Sequence, residues 1–296
     1  MEGDMTIDGL LRALAELVDA LPQELPPFLV GGGLGLYLKQ RALEERVDRG
    51  ETIIDGAFWP PARSTEDLDL FLPTEVIVSA VHMTEIRETL DRLGYRPDVE
   101  HFQFVRDGVD GRVKIDLLTT EIPSDQSKWV IVKPPRVRAR GNVRLHAYLT
   151  REAIGIAAHP VEVTVEVKRR NAPPRPLMIR VPNAFTYLLM KLHACRDRAA
   201  RDHVERARHH AVDVYRIVAM MDRSEFDLIR ALAIRFREHD AFAAAKDIVA
   251  QMFEATSSSG VLRAVEGARE AGIEVRDEER RVFVETLGAL FGVTSE

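Results

Sequence analysis

The 296-residue sequence predicts an α+β protein in two parts: a mixed-sheet domain over residues 1–181 and a helical-bundle domain over residues 182–296. Two observations carry the division. Short strand-like runs, at 28–30, 67–72, 102–105, 112–118 and 161–168, all fall in the first part, and most alternate apolar with polar residues as a half-buried strand must. From Asn183 onward the apolar residues recur every three to four positions, the spacing of an amphipathic helix, and Pro182 stands at the change of period.

The composition, 46% hydrophobic and 30% charged, is that of a folded globular chain rather than a disordered one. No apolar run approaches the ~20 residues that span a bilayer. The first residues, Met1-Glu2-Gly3-Asp4, are acidic where a signal peptide is basic, so the expectation is a cytoplasmic protein without a membrane partner. The single cysteine, Cys195, excludes an internal disulfide and a cysteine metal cluster, and its apolar helical surroundings read as a buried small residue. The net charge of −6 argues against a protein that coats nucleic acid. Yet the window 126–151 holds no acidic residue and carries Lys128, Lys133, Arg136, Arg138, Arg140, Arg144 and Arg151. A second basic cluster holds Lys168, Arg169, Arg170, Arg175 and Arg180. Such stripes suit a polyanionic substrate held at one place; a solvated basic surface would have the same composition.

Residues 6–21 carry the stripe Leu10, Leu11, Leu14, Leu17, Val18 and Leu21, a helix expected to pack on the first strand and stopped by Pro22, Pro26 and Pro27. The run 28–30 enters Gly31-Gly32-Gly33 and a helix over 34–45. Glycines admit a ligand without a Cβ in the way, and the helix start aims unpaired N–H groups at the turn, a cradle for a triphosphate. No Gly-Lys-Ser/Thr follows, so this is not a Walker P-loop, and no acidic residue closes a dinucleotide-binding unit. Residues 39–62 read as a helix end and a long loop.

In Asp67-Leu68-Asp69-Leu70-Phe71-Leu72, the period of two puts Asp67 and Asp69 on one face, roughly 6–7 Å apart at Cα, and the leucines on the other. Two neighbouring carboxylates resist joint ionisation unless a cation lies between them, and hard oxygen ligands suit Mg²⁺ or Mn²⁺. An amphipathic helix covers 74–93. Asp110-Gly111 joins two alternating runs as a hairpin, with Val113, Ile115 and Leu117 toward the core and Lys114 and Asp116 away from it. If that strand neighbours the Asp67–Asp69 strand, Asp116 is a third carboxylate at the same place. A strand with one wet face covers 161–168 and a short strand covers 177–179. Beyond Asn183, an N-cap, Phe185, Leu188, Leu189 and Leu192 form a buried stripe, with Lys191 off it. A helix over 203–222 has Arg206, His209, His210, Asp213 and Arg216 on one face, and helices follow over 224–238, 241–255 and 276–291, with 256–260 a linker turn.

Together these pieces resemble the DNA polymerase β-like nucleotidyltransferase superfamily, and within it the AbiEii-type abortive-infection toxins and their MenT-like relatives. The likeness rests on Gly32-Gly33 after a strand, on Ser64-Thr65-Glu66-Asp67-Leu68-Asp69, on Asp116 on a later strand, and on Lys191-Leu-His-Ala-Cys-Arg followed by Asp213-Val-Tyr. The interval from Gly32 to Asp67 exceeds the family's, so 39–62 resembles an insertion, and His209 stands where a lysine is common.

The resemblance implies an N-terminal nucleotidyltransferase domain of the polymerase β type, with an NTP as substrate. It implies Mg²⁺ or Mn²⁺ held by Asp67, Asp69 and Asp116, with Asp116 also activating the acceptor hydroxyl. Gly32, Gly33, Ser64 and Thr65 would contact the β- and γ-phosphates. Lys191 would neutralise the leaving pyrophosphate, oriented by Asp213. The acceptor implied is RNA, such as the tRNA acceptor end, gripped by Arg136, Arg138, Arg140 and Arg144, and a toxin of this kind implies a cognate antitoxin. The alternatives are a small-molecule or protein acceptor, or a nucleotide-binding module without catalysis.

Overall fold

The computed structural model describes residues 6–45, 52–62, 65, 67–98, 101–108, 110–168, 173–201 and 203–293. The chain divides into two compact units. The first comprises Met1–Ala42, Arg63–Arg151 and Ile156–Pro182; the second comprises Leu43–Ala62, Glu152–Gly155 and Asn183–Glu296.

The first unit opens with α1 (Ile7–Ala20), whose start is capped by the Thr6 hydroxyl accepting from the Gly9 N–H at 3.1 Å. There follow β1 (Leu29–Val30), α2 (Gly32–Glu44), β2 (Asp67–Phe71), α3 (Thr74–Ile77) and α4 (Ala80–Arg92). Next come β3 (Arg96–Pro97), β4 (Gln103–Gly108), β5 (Gly111–Thr119), β6 (Val130–Lys133), β7 (Arg136–Ala139) and β8 (Ala147–Leu149), and last β9 (Val161–Val167) and β10 (Arg175–Val181). The main sheet runs β1-β2-β5-β8-β7-β6, with β4 also paired to β5 and β3 to β4. It is mixed: β2 with β5 and β5 with β8 are parallel, and the remaining pairs are antiparallel. The 161–168 strand stands outside this sheet, paired with β10 in a two-stranded ribbon.

The strand registers set what each face of the sheet carries. Leu68, Leu70, Ile115, Leu117, Val137, Ala139 and Ala147 are buried on one face, which α1 covers at β2 and β5 and α3 covers at β7. The alternate residues take the other face, and these include the acidic side chains of β2 and β5. The helix read over 74–93 is two helices, because the Ser79 hydroxyl turns to accept from the His82 N–H (3.2 Å) and starts α4 afresh.

The second unit holds α5 (Ala184–Ala199), α6 (Val204–Ala219), α7 (Arg223–Arg235), α8 (Asp240–Met252), α9 (Ser259–Glu270) and α10 (Asp277–Phe291). The Asn183 side chain caps α5 by accepting from the Thr186 N–H. α6 packs between α5 and α9, and the rings of Phe185, Phe242 and Phe291 stack in series. The residues read as a linker at 256–260 in fact lead into α9.

Residues 52–62 form a strap on these helices. Ile53 and Ile54 donate backbone hydrogen bonds to Met221 and Ala219 (2.7 and 3.2 Å), and Thr52 bridges Asp222. Ile54 and Trp59 are buried, and the Trp59 indole N–H closes on the Ile54 carbonyl at 2.9 Å. The second half of the expected loop is therefore anchored along its length.

Candidate nucleotidyl-transfer site

The glycine turn is shaped by its neighbours on β2. The Gly31 N–H donates to the Asp69 carbonyl at 2.8 Å. Gly32 has φ +57°, and a Cβ there would lie 1.6 Å from Asp69 Oδ2. Only glycine combines that left-handed backbone with so close an approach, so the turn brings the Asp69 carboxylate against the start of α2. A Cβ on Gly33 would meet Thr65 at 2.9 Å. The structure thus gathers Gly32, Gly33, Thr65 and Asp69; Ser64 lies outside the described residues.

The parallel register of β2 and β5 sets Asp69 opposite Asp116 and Asp67 opposite Lys114. Four charged side chains occupy adjacent positions on one sheet face. Lys114 Nζ lies 3.4 Å from Asp116 Oδ2 and 3.6 Å from Asp67 Oδ2. Burial holds the Asp116 pKa above the ordinary carboxylate value and the charge of Asp67 adds to this, while Lys114 works against it. Burial opposes the charge on Lys114, but Asp116 and Asp67 outweigh it and hold the amine above its usual pKa. Asp116 Oδ1 is buried and has no hydrogen-bond partner among the described residues. Also among the described residues, no three acidic, imidazole or thiol side chains converge in metal-ligand geometry. The donor set nevertheless fits a hard divalent ion: it is all carboxylate oxygen, it faces across one strand pair, and it includes an unsatisfied buried oxygen.

Lys191 and Asp213 belong to the second unit. Lys191 Nζ donates to Asp213 Oδ2 at 2.6 Å, with the two side chains only 8% and 1% exposed. Arg216, one turn along α6, lies 3.3 Å from Asp213 Oδ1 and also donates to the Pro61 carbonyl of the strap at 2.5 Å. Lys191, which the apolar stripe leaves to one side, is buried because a second helix supplies its counter-charge. The polar face of α6 is likewise buried at Asp213 and Arg216, and the Pro61 carbonyl of the strap meets Arg216. Arg216 has an i, i+3 spacing from Asp213, a signal present in the sequence but silent until the strap is in place.

The basic window forms the β6–β7 hairpin, which the alternation pattern did not reveal. Pairing runs from Leu118 on β5 to Tyr148 on β8, from Tyr148 to Arg136 on β7, and from Arg136 to Lys133 on β6. Paired residues share a face, so Arg136, Arg138 and Lys133 lie on the carboxylate face, reached through Tyr148. Arg138 donates to the Gly141 carbonyl at 2.7 Å. Arg140 and Arg144 lie beyond β7 and are exposed. Sequence reasoning assigned no role to Lys114, Tyr148 or Arg216.

A mixed sheet with a glycine turn against an aspartate strand and a third aspartate on the parallel neighbour defines a polymerase β-like nucleotidyltransferase. Residues 52–283, well over half of the chain, match the family described as "Nucleotidyl transferase AbiEii toxin, Type IV TA system". The chain belongs to that family: it is a nucleotidyltransferase toxin of a type IV toxin–antitoxin system, which implies an NTP substrate and an antitoxin counterpart. The matched span contains Asp67, Asp69, Asp116, Lys191 and Asp213 and begins after the glycine turn. No curated protein matches the chain. Among the described residues no helix is long and apolar enough to cross a membrane.

Proposed function

We propose that this toxin transfers a nucleotide from an NTP to RNA, with the acceptor strand running along the sheet face that carries the carboxylates. One observation carries the choice of acceptor: strand register continues that face from Asp69 and Asp116 through Tyr148 to Arg136, Arg138 and Lys133. A row of cations beginning a few strands from the reacting centre suits a polyphosphate backbone, whereas a small cationic acceptor would want acidic surroundings. A tRNA acceptor end has the single-stranded form such a row can follow.

Asp67, Asp69 and Asp116 would hold Mg²⁺ or Mn²⁺, which when bound neutralises phosphate charge and lowers the pKa of an acceptor hydroxyl. Asp116, whose buried Oδ1 has no hydrogen-bond partner among the described residues, is the carboxylate suited to orient that hydroxyl. Gly32, Gly33 and Thr65 would receive the β- and γ-phosphates at the start of α2, where N–H groups are unpaired. In the helical unit, Asp213 holds the Lys191 ammonium in place, and a positioned ammonium suits a polyphosphate leaving group.

The test is incubation with Mg²⁺, each labelled NTP in turn and total RNA, with Asp69→Asn as control. Label entering RNA only with the unaltered protein supports the proposal; label on protein or a small molecule, or none with nucleotide binding intact, overturns it. Arg136→Ala with Arg138→Ala should then weaken RNA binding across sequences and lower the salt slope of binding by roughly 1.4, about 0.7 per single-strand phosphate contact.

A further inference from the structure

We infer that Lys114 is a resident counter-ion of the carboxylate cluster, standing in the metal-free protein where a divalent cation binds and leaving that place when the site is loaded. This rests on the reading of Asp67, Asp69 and Asp116 as the metal ligands.

The register dictates the position. Lys114 is opposite Asp67 and two residues before Asp116, so all three project from the same face, and the four-carbon stem reaches the space between the two acids. Its ammonium is shared, 3.4 Å from one carboxylate and 3.6 Å from the other. Both distances exceed the 2.6 Å of the Lys191–Asp213 pair. A charge-assisted hydrogen bond that is fully made is about 2.7–2.9 Å long. Lys114 is therefore held by attraction to both acids without being locked to either, and at 30% exposure its head has room to move.

One ammonium is shared between two carboxylates, and Asp116 Oδ1 remains without a hydrogen-bond partner among the described residues. A divalent ion supplies what the lysine does not: twice the charge and several coordination positions. Lys114 Nζ occupies the space between Asp67 and Asp116, so an ion entering there gains its place by displacing the ammonium. A displaced ammonium needs a new anion, and a triphosphate arriving with the ion supplies one. Lys114 thereby couples ion entry to nucleotide entry: the free protein binds the ion weakly, and the ion–nucleotide pair binds well.

The experiment is Mn²⁺ binding by calorimetry and electron paramagnetic resonance on the full chain, with and without a non-hydrolysable NTP. The unaltered protein is compared with Lys114→Met, with Lys114→Gln as a second variant of different packing. Without nucleotide, both variants should bind Mn²⁺ about tenfold more tightly, the order expected when one competing unit charge is removed. Both should melt lower than the unaltered protein when metal-free, and the tightening of Mn²⁺ by nucleotide should shrink. Folded variants whose Mn²⁺ affinity is unchanged or weaker overturn the inference. The underlying reading is tested separately: Mn²⁺ binding that survives Asp69→Asn with Asp116→Asn would show that the ion sits elsewhere, whatever Lys114 does.

Discussion

Each unit carries a lysine paired with aspartate, and the two clusters differ in spacing and in setting. In the sheet unit, Asp67 and Asp116 share Lys114; the Lys114 side chain is 30% exposed and its contacts are 3.4 and 3.6 Å. In the helical unit, Lys191 and Arg216 meet Asp213; the three side chains are 8%, 2% and 1% exposed, and the lysine contact is 2.6 Å. The difference follows from solvation. A charge taken fully out of water must be closely paired, so the buried cluster is short, tight and braced by a strap carbonyl. A cluster at the sheet surface can leave charges under-compensated because water and mobile ions share the burden. The first is built to exchange its cation, the second to hold its own in place.

The largest test of this contrast is Asp213→Ala. It removes the buried carboxylate that Lys191 and Arg216 both meet and should cost about 3–5 kcal/mol of unfolding free energy, read from urea denaturation; a variant as stable as the parent would show the cluster to be hydrated. Next comes Gly32→Ala. The left-handed backbone alone makes alanine cost about 1–2 kcal/mol, and the new methyl must displace the Asp69 carboxylate. Nucleotidyl transfer should disappear while the melting temperature falls by a few degrees. Asp69→Asn should move stability by less than about 1 kcal/mol, since the cluster it relieves is partly solvated, yet transfer should be lost. That split, stability from Asp213 and activity from Asp69, is the sharpest form of the comparison.

The smallest effect concerns Cys195, one turn beyond Lys191 on α5. Burial pushes its thiol pKa up to about 11, so at pH 8 a disulfide reagent should label it only as fast as the protein opens. The native state holds this proton more tightly than the unfolded chain does. Its contribution to stability is therefore complete below the ordinary value of 9 and is lost as pH rises through 11. Rapid labelling of the native protein would show α5 to be looser than the buried charge cluster requires.

Much of the fold was legible because it rests on local period. The strands at 67–72 and 112–118, the Asp110-Gly111 hairpin and the long helices follow from alternation, turn chemistry and caps. The β6–β7 hairpin was not legible: each strand has four residues, and Pro134-Pro135 between them reads as a break. α9 was hidden because serines that start a helix also compose linkers. In the site, the common face of Asp67 and Asp69 follows from the period of two. The position of Asp116 beside Asp69 needs the strand order, which no local pattern specifies. The burial of Lys191, Asp213 and Arg216 depends on partners distant in sequence, and a helical wheel has no knowledge of these.

The strap has a consequence for how the protein is made. Residues 52–62 leave the ribosome well before Ala219, Met221 and Asp222, which will bind them, and before Arg216, which will hold the Pro61 carbonyl. Ile54 and Trp59 therefore wait without their seat until α6 has been synthesised. A fragment cut to begin at Asn183 would lack that strap, and its Arg216 would lose the Pro61 carbonyl. An autonomous helical fragment would need residues 52–62 grafted back, and co-expression of the two pieces is the simpler route to reconstituting it.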